Sequence, residues 1–208
     1  MTDSSLKAFI TESLLEYPEH VTAVVFTGAC DLTCPWCHNK SLKTLKGKNW
    51  KNVLKKLKGS VIDAITFSGG EPLIAPEIQY WIADARFAGF LIQIETNGMH
   101  PDILKLIIKK IDRVAIDFKL PLARYGEING EGERLMESIG LARSAGIDYE
   151  IRTTLPEEGG LLSPEELGII ERELNYDPNW VIQYYLKEPV ENWLKGLSKP
   201  WHTYKVRH

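Results

Sequence analysis

Short runs of apolar, often β-branched residues alternate along this chain with longer segments whose apolar positions recur at helical spacing. The apolar runs predict six strands, at residues 21–27, 63–67, 90–95, 113–118, 149–155 and 180–186. The segments between them predict helices over residues 50–58, 76–88, 101–109 and 133–145, and from Ser163 onward. Because strands that alternate with helices pair in parallel, the pattern predicts an α/β fold.

The ends of the chain are less regular. Residues 1–20 are polar and amphipathic, with a helix-like part. Residues 187–208, which include Trp193 and Trp201, are predicted to be a C-terminal tail packed on the rest of the fold. No linker, repeat or low-complexity tract interrupts the chain, so we expect residues 1–208 to form one domain.

Composition excludes few functions, but it indicates where the protein is located and which partners it favours. The chain is 44% hydrophobic and 25% charged, as soluble globular proteins are. Its net charge of −3 does not favour nucleic acid or an anionic membrane surface as a partner. No apolar run reaches the length of a membrane span, and the first residues lack the pattern of a secretory signal. We therefore expect a cytoplasmic protein.

Three cysteines, the only ones in the chain, lie within eight residues at Cys30, Cys34 and Cys37. An odd, clustered set does not fit a disulfide framework and indicates a metal or redox site. Three thiolates on one loop can bind three irons of a 4Fe–4S cluster and leave the fourth iron open to a substrate. The alternative is a structural zinc ion bound by the cysteines and His38, although adjacent ligands rarely reach one tetrahedral ion.

A glycine-rich motif, Ser68-Gly69-Gly70-Glu71-Pro72, follows the second predicted strand. Consecutive glycines let the backbone come close to a ligand, and a carboxylate there can accept a hydrogen bond from an ammonium group. The same residues could also form a simple turn with an exposed acid.

Polar residues mark the ends of the next three strands. Glu95 and Asn97 end the third strand, and Asp117 and Lys119 end the fourth. Arg152, on the fifth strand, carries a planar guanidinium that suits a carboxylate or ribose oxygens. Each group also has a simpler interpretation. Asn97 could belong to an Asn-Gly turn, Asp117 and Lys119 could form a surface ion pair, and Arg152 could pair with a neighbouring acid.

All of these motifs fall at the carboxyl ends of successive strands, where parallel α/β barrels build their sites. The alternation of strands and helices in the sequence barely separates an open sheet from a partial barrel. The position of the motifs favours a partial (β/α)6 TIM-type barrel in a single domain.

The cysteine loop, with the aromatic Trp36 before its last cysteine, is similar to the cysteine motif of the radical S-adenosylmethionine (SAM) superfamily. The longer stretch at residues 14–39 resembles the activating enzymes of glycyl radical enzymes. It is most similar to anaerobic ribonucleoside-triphosphate reductase activating proteins. The resemblance implies a 4Fe–4S cluster on Cys30, Cys34 and Cys37, with SAM as the second cofactor.

The resemblance also implies an activity. Reductive cleavage of SAM would give a 5′-deoxyadenosyl radical, which would take a hydrogen atom from a glycine of a partner glycyl radical enzyme. Flavodoxin or ferredoxin would supply the electron. Glu95 and Asp117 could also hold a monovalent cation, as strand-end acids do in some relatives. The residues expected to bind SAM are Trp36, Ser68, Gly69, Gly70, Glu71, Glu95, Asn97, Asp117, Lys119 and Arg152.

Two other functions are also compatible with these residues. One is a radical SAM enzyme that acts on a small molecule, similar to 7-carboxy-7-deazaguanine synthase. The other is a non-catalytic zinc-binding adaptor. Residues 40–58 contain many lysines and no acidic residue. This run fits either a solvated helix face or a docking surface for an acidic protein or RNA, and no RNA-binding motif accompanies it.

Overall fold

A computed structural model describes residues 5–155, 162–184 and 205–207 of the chain. The strands are β1 Leu6–Ser13, β2 Thr22–Thr27, β3 Ala64–Gly69, β4 Leu91–Thr96, β5 Arg113–Asp117, β6 Asp148–Leu155, β7 Trp180–Tyr184 and β8 Lys205–Arg207. The α-helices of the described part are α1 Trp50–Leu57, α2 Ile78–Phe87, α3 Pro101–Ile107, α4 Gly132–Ser144 and α5 Pro164–Glu173. Short 3-10 turns occupy Lys40–Thr44, Pro72–Ile74, Ile108–Lys110 and Leu122–Ile128.

The strands form one sheet in which each strand pairs with its neighbours in chain order. Strands β2 to β7 are all parallel, and a helix connects each of them to the next. Strand β1 is antiparallel to β2, and β8 is parallel to β7. No pairing joins β1 to β8 in the described residues, so the sheet there is curved but not closed. The predicted α/β partial barrel is confirmed.

Burial on both faces explains the apolar strands. The β-branched residues Val24, Ile65, Ile94 and Ile116 are all completely buried, as expected where helices cover a parallel sheet. The predicted start of α5 is also confirmed, because the Ser163 side chain accepts a hydrogen bond from the Glu166 backbone in a capping box. Across the described part, none of the helices has the length and apolar character that a membrane crossing requires.

The helix-like reading of the N-terminus was wrong for its central part, since Leu6–Ser13 forms strand β1. Backbone pairing across the sheet edge decides this, with Ala8 opposite Phe26 and Ile10 opposite Val24. The polar composition follows from position, because an edge strand keeps one face toward solvent.

The predicted tail is described only in part. Residues Trp193 and Trp201 lie outside the described residues. Residues 205–207 extend the sheet as β8, paired with β7.

Candidate active site

A cavity of about 740 Å³ extends from the carboxyl ends of the parallel strands toward their amino ends. The sequence motifs of five successive strands meet in it. Twelve of the thirteen predicted site residues line it, namely Cys30, Cys34, Trp36, Cys37, Ser68, Gly69, Gly70, Glu95, Asn97, Asp117, Lys119 and Arg152. Because residues up to 122 positions apart in the chain (30 to 152) converge here, the fold brings together what the sequence keeps separate.

The three cysteines face this cavity as free thiols. Cys30 and Cys34 are half-buried, whereas Cys37 is exposed. Burial raises the pKa of the Cys30 thiol to about 11 and also raises that of Cys34. Within the described ranges, no three His, Cys, Asp or Glu side chains converge on a single metal ion. A 4Fe–4S cluster does not need such convergence, since each thiolate binds a different iron. The donor set therefore fits that cluster.

Asp31 fixes the cysteine loop from within. Its carboxylate accepts a hydrogen bond from Asn97 Nδ2 at 2.8 Å and lies 2.9 Å from His100 Nε2. Its backbone carbonyl accepts a further bond from Asn129 at 3.2 Å. Burial would raise the pKa of Asp31, but the bonds from His100 and Asn97 hold it below its ordinary value, and Asp31 raises the pKa of His100. Asn97 thus anchors the loop as well as lining the cavity.

The sequence did not reveal this anchor. Asp31 could have been noticed, because it lies between the first two cysteines. No local signal could have found His100, which is separated from Asp31 by 69 positions in the chain.

The glycine motif packs directly against the cysteine loop. Gly69 has a φ of +111°, and a side chain there would meet the backbone of Thr27. The backbone of Glu71 donates to the Ala29 carbonyl at 2.7 Å. Asn39 Nδ2 donates to the Gly69 carbonyl at 2.9 Å, which ties the other end of the loop to the same turn. The two consecutive glycines are required by this close approach of backbones.

Gly70→Ala is expected to disrupt that contact. A Cβ at residue 70 would lie 2.0 Å from the Ala29 carbonyl oxygen, so the cysteine loop would have to shift. We expect a loss of about 2–3 kcal/mol of stability by urea unfolding, together with a lower iron content after anaerobic reconstitution. Gly140→Ala is the matched control, because nothing lies within 4 Å of its Cβ on helix α4. That change should stabilise the protein by about 0.5–1 kcal/mol. Equal behaviour of the two variants would contradict the close packing.

Glu71 is the predicted site residue that does not line the cavity. It is completely buried, and its carboxylate accepts hydrogen bonds from Leu73 N at 2.9 Å, Thr96 Oγ1 at 2.8 Å and Asn97 N at 2.7 Å. Burial raises its pKa. With its oxygens engaged in this way, Glu71 is placed to connect β3 to the end of β4, and not to receive a ligand's ammonium group directly.

A row of alternating charges forms one wall of the cavity. Arg152 donates to Glu95 at 2.6 Å and to Asp117 at 3.0 Å, and Lys119 donates to Asp117 at 2.8 Å. Ser68 Oγ adds a bond of 2.7 Å to Glu95. Burial would raise the pKa of Asp117, but Lys119 and Arg152 outweigh it and hold that pKa below its ordinary value. The four charged residues therefore fix one another's positions.

This row also bears on the predicted monovalent cation. The positive group that Glu95 and Asp117 share is the guanidinium of Arg152, whose side chain is only 9% exposed. Because Arg152 supplies a positive charge to both carboxylates, these contacts do not require a bound monovalent cation.

The hairpin loop between β1 and β2 contributes residues that the sequence did not assign to the site. Leu14, Leu15, Glu16 and Pro18 all line the cavity, and the Glu16 carbonyl accepts a hydrogen bond from Gln93 Nε2 at 3.0 Å. Leu14 and Leu15 are 74% and 78% exposed. Because this hairpin leads into the first residue of β2, it covers the cavity at the amino ends of the parallel strands, opposite the cysteine loop.

Comparison with known proteins assigns the family. The model of the radical SAM superfamily matches residues 24–158, more than half of the chain. A protein of Methanocaldococcus jannaschii, provisionally named as a glycyl-radical enzyme activating enzyme, is 30% identical over 90% of this chain and 87% of its own length. The 7-carboxy-7-deazaguanine synthase of Haemophilus influenzae is 35% identical, but over only 42% of this chain and 39% of its own length.

Solved structures support the fold. SuiB of Streptococcus suis, with S-adenosylmethionine bound, superposes with a TM-score of 0.58 at 16% identity. The match covers 79% of this chain and 39% of that one. The anSMEcpe structure with bound AdoMet gives a TM-score of 0.57 at 13% identity and covers 76% of this chain and 48% of its own. The segment that the family model matches, residues 24–158, contains all three cysteines and the four charged residues of the cavity wall. The chain belongs to the radical SAM superfamily.

Proposed function

We propose that this protein reductively cleaves SAM at a 4Fe–4S cluster held by Cys30, Cys34 and Cys37, and thereby installs a glycyl radical on a partner enzyme. The observation that carries the proposal is the convergence of the three thiols and the charged strand ends on one cavity. When bound, the cluster and SAM would supply a one-electron cleavage of a C–S bond that gives methionine and a 5′-deoxyadenosyl radical.

The residues of the chain would bind and orient SAM. Methionine carries an ammonium and a carboxylate, and the wall offers both signs of charge in Lys119, Arg152 and Asp117. Since each of these groups is held by an ion pair, little reorganisation is needed when a zwitterion arrives. Trp36 lines the same cavity and packs partly against the core, where it could cover the adenine ring.

A protein substrate is favoured by the extent of the similarity. The archaeal relative, named for glycyl-radical enzyme activation, matches almost end to end, whereas the deazaguanine synthase matches less than half of this chain. The SuiB protein was also solved with its precursor peptide, and anSMEcpe with a peptide. These proteins show that related folds accept peptides, and they support the same class of substrate here.

The decisive experiment has two stages. Anaerobically reconstituted protein, given dithionite and SAM, should form 5′-deoxyadenosine. When a candidate glycyl radical enzyme is added, electron paramagnetic resonance should show a glycyl radical on it, formed in proportion to the 5′-deoxyadenosine.

Two outcomes would point to another function. Cleavage of SAM with no radical on any candidate enzyme, but turnover of a pterin-like small molecule, would favour the deazaguanine-synthase-like alternative that the shorter match suggests. Protein that retains zinc in place of iron and forms no 5′-deoxyadenosine would favour the adaptor.

A further inference from the structure

Eight lysines lie on the exposed surface of residues 40–58, the segment that follows the cysteine loop in the chain. We call this surface the lysine face, and it comprises Lys40, Lys43, Lys46, Lys48, Lys51, Lys55, Lys56 and Lys58. All eight are exposed, and none forms an ion pair with an acidic side chain in the part of the chain that the structure describes. Residues 40–58 contain no acid at all, although the whole chain has a net charge of −3.

The fold holds these lysines outward. Trp50, Val53, Leu54 and Leu57 of α1 are buried against the sheet, so the opposite side of the helix carries the charges. Lysines four residues apart on one helix, such as Lys51 and Lys55, repel each other and weaken the helix slightly. Among the described residues, this concentrated positive charge is therefore not neutralised by ion pairs with acidic side chains.

The lysine face begins where the cysteine loop reaches solvent. Lys40 follows Cys37 by three residues, and its ammonium donates to the Pro35 carbonyl within the loop at 2.6 Å. Cys37 is the exposed cysteine of the three. None of the eight lysines lines the cavity, so the face lies outside the space where SAM and a substrate would bind.

The position of the lysine face fits an electron carrier better than a substrate as its partner. A substrate must reach into the cavity, whereas an electron carrier needs only to approach the cysteine loop from outside, because electron tunnelling falls steeply with distance. A charged surface speeds such short-lived encounters by steering the partner, and interfaces of electron-transfer complexes are small.

We propose that the lysine face is the docking surface for an acidic one-electron carrier protein. The step moves a single electron, so the reduced carrier is oxidised by one electron, the cluster is reduced by one electron, and no atom is transferred. The proposal rests on the proposed function, since it assumes a cluster on the three cysteines.

The test compares two variants with the same change in charge. The first is Lys43→Glu/Lys46→Glu/Lys51→Glu, which leaves untouched Lys40 with its loop contact and Lys56, which lies over the Phe9 ring. The control is Lys105→Glu/Lys109→Glu/Lys110→Glu, at exposed positions on and after α3, a helix that packs against α4. Reconstituted proteins are mixed with a reduced acidic flavodoxin, and cluster reduction is followed by absorbance. Binding of oxidised flavodoxin is measured separately by calorimetry.

We expect the first variant to be reduced by flavodoxin about tenfold more slowly at low salt and to bind it more weakly. Added salt should slow the wild type until it approaches the variant. The control should behave as the wild type does. Dithionite, a small reductant that needs no docking surface, should drive SAM cleavage equally in all three proteins.

Other results would overturn the proposal. If the two variants bound flavodoxin equally well and their clusters were reduced by it at the same rate, the lysines would be only a solvated surface. Unchanged flavodoxin reduction with lost activation of a glycyl radical enzyme, or with lost RNA binding, would assign the face to that partner. Failure of dithionite-driven cleavage in the wild type would contradict the proposed function, while the calorimetric comparison would still decide the docking surface.

Discussion

Cys34→Ala is expected to reduce 5′-deoxyadenosine formation to the background level. Cys34 is the middle one of the three proposed ligands, and without its thiolate two cysteines would remain for a cluster that needs three. The fold should survive, because the change removes one half-buried sulfur and should cost about 1 kcal/mol. Iron content, the visible absorbance of the cluster and chromatography of the reaction products would measure the effect.

His38→Ala provides the control, because it separates a cluster from a zinc ion. His38 is exposed at the edge of the cavity and is the fourth ligand that the zinc alternative requires. With a cluster on the three cysteines, this variant should keep its iron and form 5′-deoxyadenosine. If Cys34→Ala and His38→Ala lost bound metal equally, the zinc adaptor would be the better description. If Cys34→Ala kept full activity, the assignment of the ligands would be wrong.

Arg152→Met is expected to cost about 3 kcal/mol of stability at pH 7 and to weaken SAM binding. Methionine keeps much of the volume but leaves Glu95 without its ion pair and Asp117 with Lys119 alone. Removal of one partner of a buried pair is costly because it leaves an uncompensated charge. Urea unfolding and the binding of SAM, followed by calorimetry, would measure the two effects.

The cost of this variant should depend on pH. In the wild type the pKa of Asp117 is depressed, so its contribution is present above the unfolded value of about 3.9 and is lost only as the pH falls through the lower folded value. Without Arg152 the pKa of Asp117 should rise, so that protonation of Asp117 can remove its negative charge as the pH falls. The difference in unfolding free energy should therefore be largest at pH 7 and shrink toward pH 4.

Arg86→Met is the matched control for Arg152→Met. Arg86 pairs with Asp112 at 2.9 Å, but its side chain is 44% exposed, so the change should cost less than about 1 kcal/mol. An Arg152→Met cost that stayed the same at pH 7, 5 and 4 would mean that packing, and not charge, determines the role of Arg152.

The sequence predicted the strands and helices well where local signals were strong. The apolar runs of the six parallel strands and the Ser163-Pro164 helix start were located to within a few residues. Strand β1 was missed, since its identity depends on pairing with β2, about fifteen residues later in the chain. The hydrophobic pattern of this edge strand is too weak to predict it from the sequence.

The site was predicted unevenly for a similar reason. Residue type and position at a strand end were enough to select the cysteines, Asp117 and Arg152, all of which line the cavity. They were not enough to predict the direction of a side chain. Glu71 was expected to meet a ligand, yet it is turned inward to the backbone of residues 73 and 97.

By itself, the sequence determined the α/β class, the order of the strands and the chemistry available at their ends, because periodicity, turn residues and cysteine spacing are local properties. Only the tertiary structure decided which groups contact each other. The sharing of Arg152 between Glu95 and Asp117, and the pairing of Asp31 with His100, each join residues far apart in the chain. Such contacts depend on how the curved sheet sets its strand ends side by side, and no local pattern encodes that distance.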